Sequence, residues 1–160
     1  MANSKASNFS KFISLVRDHE SPEIFKTLND VQRQELYELC WEFMQKRPTS
    51  KVNLSIETLY GSDFLILNML DMPFIVDSVR MALSRAELDV KSFLNIADIS
   101  LSRVNDNISD WNSGSNMEAL LIVELANIPD KKTEHILATI QAVAEDVMLA
   151  VEDWQPMQSK

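Results

Sequence analysis

Residues 64–70, FLILNML, form an unbroken apolar run; DMPF follows at 71–74, and IVDSVRMAL at 75–83 restarts with a different period. The first run has the length and composition of a buried strand. In the second, Met72, Ile75, Val76, Val79, Ala82, Leu83 and Ala86 recur at intervals of three and four, so one face of a helix is apolar and expected to lie on a sheet. Between them, Asp71 is of a type that caps free backbone N–H groups. Pro73 suits a first helical turn, where its missing donor does no harm. The stretch predicts a strand, a tight turn and a helix running from about Pro73 to Leu88.

Upstream, Val52, Leu54 and Ile56 alternate with Asn53, Ser55 and Glu57, the pattern of a strand with one wet face. Tyr60-Gly61-Ser62-Asp63 supplies a turn, so strands 52–59 and 64–69 are expected to form a hairpin. Downstream, Val90 to Val104 reads as a long strand. Its apolar parity slips between Leu94, Ile96 and Ile99, Leu101, which predicts a bulge near Ala97-Asp98. Residues 105–116 are polar and contain Gly114; they read as a mobile loop. Glu118 to Leu125 is apolar on both faces, with Ala119, Leu121, Val123 and Leu125 on one and Leu120 and Ile122 on the other, as a central strand requires. A closing helix after Pro129-Asp130 carries Ile136, Ile140, Val143, Val147, Val151 and Trp154 along one face, and a charge at Val143 is expected to unfold the domain.

The first fifty residues read as helical. Phe9, Phe12, Ile13 and Val16 mark one stripe, and Ser21-Pro22-Glu23 signals a short second helix carrying Ile24 and Phe25. Asn29 and Gln32 resemble a capping box, opening a longer helix with Leu36, Leu39, Cys40 and Phe43 inward and stopping before Pro48. The expected organisation is a helical segment at residues 1–50 and an α+β domain at 51–157. Its order, ββαββα, is close to the ferredoxin-like split: an antiparallel sheet with two helices on one face, the first strand taking the edge.

The chain has 160 residues, 46% of them apolar, enough for one moderate core. Fifteen basic against 24 acidic residues give a formal charge of −9, which opposes phosphate backbones and anionic membranes, and with them an RNA-binding reading of the sheet. No apolar run approaches the ~20 residues of a spanning helix, and the first dozen residues lack a signal-peptide core, so the expected compartment is the cytoplasm. Two glycines, Gly61 and Gly114, leave neither a phosphate loop nor a dinucleotide fingerprint. His19, His135 and Cys40 stand apart from any ligand or nucleophile pattern, so no catalytic or metal site is expected. Glu134, Glu145, Asp146, Glu152 and Asp153 read as a solvated helix face, and Met69, Met72 and Met81 as core filler.

The segment LDMPFIVDSV at 70–79 resembles the D-D-M-P-F-L-V-D-S-V signature near the N-terminus of the large bacterial NAD-dependent glutamate dehydrogenases. EALLIVEL at 118–125 is similar to that family's second core strand, and VEDWQPM at 151–157 to its V-x-D-W-x-x-M helix end. The resemblance implies an ACT-like, non-catalytic regulatory or assembly module of an oxidoreductase whose catalytic domain, with its NAD, lies elsewhere. The implied partners are the remaining domains and subunits of a homo-oligomeric parent, and an amino-acid effector; neither nucleic acid nor membrane is implied. The alternative is a free-standing amino-acid-sensing domain. In either case the candidate ligand site is the turn at Asp71, Met72, Pro73 and Phe74, with Asp77 and Ser78 of the first helical turn, where free N–H groups can receive a carboxylate. ACT domains that bind amino acids there usually read Asp-x-Pro-Gly, and this chain departs from that pattern at Phe74.

Overall fold

Alternating side chains in Asn53–Leu59 (β1) and the apolar run in Ser62–Leu70 (β2) form the expected hairpin, with Leu59 opposite Ser62 and Asn53 opposite Asn68. The structure is a computed structural model; it describes residues 2–45, 52–105, 107–111, 116–126, 128–129 and 132–158, with side chains described over 6–45, 52–105, 107–109, 111, 117–126, 128–129 and 132–152. Pro48, Gly114, Asp130, Asp153 and Trp154 therefore lie outside the residues or side chains described.

After β2 come a helix, Ile75–Arg85 (α3), a long strand, Asp89–Val104 (β3), a short strand, Asn107–Trp111 (β4), a further strand, Asn116–Ala126 (β5), and the closing helix Thr133–Gln158 (α4). The sheet is antiparallel throughout, in the order β1-β2-β5-β3-β4. The doubly apolar β5 is its centre and β1 its edge, in keeping with their patterns.

Each strand's alternation sorts two cores. Leu65, Leu67, Leu121, Val123 and Leu125 bury against α3 and α4; Phe64, Ile66, Leu120 and Ile122 bury on the opposite face. The register of β3 against β5 shifts between Ile96 and Ile99, and Asp98 takes φ 56° there, so Leu94, Ile96, Ile99 and Leu101 all reach one core across the bulge.

That second face is covered by two N-terminal helices, Ala2–His19 (α1) and Asp30–Met44 (α2). The capping box forms, with Gln32 N donating to Asn29 Oδ1 at 2.8 Å and Asn29 N to Gln32 Oε1 at 3.0 Å. Phe12, Val16, Leu36, Tyr37, Cys40 and Met44 are buried beneath them. Full burial pushes the Cys40 thiol well above its ordinary range, which keeps it inert. Helices thus pack on both faces of the sheet: α3 and α4 on one, as the sequence pointed to, and on the other α1 and α2, whose apolar stripes called for a surface to cover, either this sheet or the rest of a larger protein.

Four local expectations are corrected. The short helix at Ser21–Phe25 is a run of turns: Phe25 adopts φ 50°, its N–H donates to Ser92 Oγ at 3.0 Å, and its ring packs edge-on against Phe64, so burial overrides the helix start signal. Within the segment read as a loop, residues 107–111 form β4, whose Trp111 packs edge-on against Phe12 with centroids 6.0 Å apart. On α4 the buried face is Ile136, Ile140, Ala144, Val147 and Val151, and Val143 is half-buried at its margin. Met69 is core, but Met81 is 54% exposed.

The α1/α2 side of the sheet also holds polar side chains beyond its apolar centre. Arg103 and Glu118 form a two-point ion pair, Nε to Oε2 at 2.7 Å and Nη2 to Oε1 at 3.0 Å, with side chains 3% and 0% exposed. Asn68 donates to Glu118 Oε1 at 3.0 Å and to Ala119 O at 3.1 Å. On the same face, buried Glu124 accepts from Ser62 Oγ at 2.8 Å and Thr27 Oγ1 at 3.3 Å.

Candidate functional site

The turn between β2 and α3 is fixed by Asp71. Its N–H donates to Met117 O at 2.9 Å, tying it to the start of β5, and its Oδ2 accepts from Asp98 N at 2.8 Å, tying it to the β3 bulge. The carboxylate is thereby used across the sheet and does not cap α3. The helix begins two residues later than the proline pattern implies, with Phe74 at its N-cap and without a side-chain cap. Pro73 lies in the turn ahead of it. Phe74 holds a left-handed conformation, φ 74°, which costs a non-glycine residue about 1–3 kcal/mol. The Ser78 N–H closes the first helical bond, to Phe74 O at 2.9 Å.

Asp71, Met72 and Pro73 line an open cleft of about 410 Å³ together with Asp98 and Met117. Phe74 and Ser78 face elsewhere, lining a groove between α3 and α4, and Asp77 is exposed on the first turn of α3. Of the six residues singled out in the sequence, three therefore line the cleft and two the groove, while Asp77 lines neither. Asp98 and Met117 joined the cleft without being singled out; the parity slip at Ala97-Asp98 was the signal that a bulge would project a residue here.

Burial raises the Asp71 carboxyl above its ordinary value, and the facing Asp98 carboxylate raises it further, against the opposing backbone N–H bonds from Asp98 and Met72. A cleft with two carboxylates and two methionines suits a cationic, partly apolar guest. A carboxylate entering by the same mouth meets like charge, so the helix N-terminus alone does not make this an anion site. Among the described residues there is no group of His, Cys, Asp and Glu able to hold a metal ion, and no helix long and apolar enough to cross a membrane.

An antiparallel sheet with two helices on one face and a strand–turn–helix junction bearing Asp-x-Pro defines an ACT-like α+β domain. The family model for the ACT1 domain of glutamate dehydrogenase matches residues 12–140, most of the chain including α2 and the whole sheet, and the chain belongs to that family. No curated protein and no solved structure matches it.

Proposed function

We propose that this chain is the non-catalytic assembly and regulatory module at the N-terminal end of a large NAD-dependent glutamate dehydrogenase. The parent enzyme oxidatively deaminates L-glutamate to 2-oxoglutarate and ammonia, and both its NAD and its catalytic residues belong to other domains. The observation that carries this reading is the family match across residues 12–140. Within the module, the Asp71 cleft is the effector locus. An amino acid would enter ammonium first, toward Asp71 and Asp98, with its side chain on Met72, Pro73 and Met117.

Deleting this module from the parent tests the reading. Retained glutamate oxidation per catalytic domain, with an altered subunit assembly or a lost response to amino acids, is expected. Loss of the chemical step with assembly and substrate binding intact would contradict it, because chemistry would then depend on a residue here.

A further inference from the structure

We propose that the outer edge of β1, together with the groove between β1 and α2, is a docking site for an extended basic segment of another polypeptide, which adds a strand to the sheet. The segment carries a lysine or arginine two residues from a large apolar side chain, so that both fall on the groove side. This inference does not depend on the assignment to a parent enzyme.

Three observations meet at this edge. Among the described residues β1 pairs with β2 alone, so its outer side offers unpaired N–H and C=O groups along seven residues. Beside it, on the α1/α2 face, lies a groove of about 280 Å³ with Leu39, Phe43 and Ile66 as its apolar part and Glu42 and Glu57 as its acidic walls. Leu39 and Phe43 are only half-buried there. On the opposite face, Leu54 and Ile56 of β1 are half-buried too, and give the alternate side chains of an added strand apolar neighbours.

Charge selects the occupant. Glu57 is half-buried and accepts from Ser55 Oγ at 2.8 Å, Glu42 is exposed, and among the described residues neither carboxylate has a cationic partner. Glu35 and Glu38 extend the acidic surface of α2. A cation on a strand beside β1 would sit next to Glu57 and across the groove from Glu42. A second copy pairing through the same edge brings its own Glu42 and Glu57 to the seam, and an acidic segment adds like charge, so both are disfavoured. The overall charge of −9 speeds the encounter with a basic partner.

The probe is the capped heptapeptide Lys-Thr-Leu-Val-Lys-Val-Thr, labelled for fluorescence anisotropy and titrated against the 160-residue chain. Saturable binding between about 10 µM and 1 mM that weakens with salt is expected, with slowed hydrogen exchange at alternate amides of β1. E42K and E57Q should each weaken it by about fivefold or more. The peptide with both lysines replaced by glutamate should fail on the native chain and bind the E42K/E57K double variant. N-methylation of one alternate set of peptide residues should abolish binding, and of the other set leave it unchanged, because only one edge of the peptide pairs with β1. No saturable binding up to about 1 mM would overturn the proposal. Binding indifferent to both glutamate variants, or equally tolerant of N-methylation on either edge, would overturn it too. Protection of β1 that grows with protein concentration in the absence of peptide would assign the edge to a second copy and contradict the charge argument.

Discussion

At Asp71 one side chain holds the β2–α3 turn against the β3 bulge, and its ionisation opposes the burial that this demands. Its carboxyl is raised above the ordinary 3.8, so the folded state holds the proton more tightly than the unfolded chain. Stability therefore falls as pH rises from the unfolded value through the folded one, and the penalty is fully present above the folded value. Asp98 is the charged group facing it across the cleft. Asp71→Asn keeps an oxygen for the Asp98 N–H while removing the charge. It is expected to melt higher than wild type at pH 7, with the gap closing below about pH 4; a gap constant with pH would show that ionisation is not the cause. The Arg103–Glu118 pair is a second residue-scale constraint. Arg103→Met leaves Glu118 buried without its guanidinium and should cost about 3–5 kcal/mol in urea unfolding. A loss under about 1 kcal/mol would mean that the carboxylate is readily solvated.

At the scale of elements, period and parity carried most of the information. The β1–β2 hairpin, the central position of β5, the bulge in β3 and the capping box at α2 were all legible because each rests on neighbouring residues. What escaped rests on distant ones. Asp71 reads as a helix cap until its carboxylate meets the Asp98 N–H, 27 residues away. Strand β4 escaped because NISDW is mostly polar, and it earns its place through Trp111 packing on Phe12 and Trp41. On α4, small Ala144 rather than Val143 occupies the contact line, since Ile140, Ala144, Val147 and Val151 follow one another at steps of four, three and four and leave Val143 at the margin. Ala144→Asp should accordingly abolish the cooperative melt, whereas Val143→Asp, at the groove margin, should leave it cooperative though lowered. Equal effects would contradict the placement of that face. Leu120→Ala, beneath α1 and α2, should cost about 2–5 kcal/mol in a urea melt; a smaller loss would mean that those helices pack loosely on the sheet.

Over the whole molecule, the central sheet is shielded on both faces, and the surfaces open to partners among the described residues include its edges, the Asp71 cleft and the α3–α4 groove. The candidate site was half legible: the turn could be located from Asp-x-Pro, but its division between a cleft and a groove depends on where β3 and α4 lie. The fold is in keeping with an ACT1 domain of glutamate dehydrogenase. The most direct test is to capture the native polypeptide from its source cell with an antibody to this chain, measure its mass, and assay the captured protein for glutamate-dependent reduction of NAD. A polypeptide many times larger than 18.3 kDa that carries the activity is the result predicted here. A polypeptide of about this chain's own mass, with the activity remaining in the unbound fraction, would contradict it.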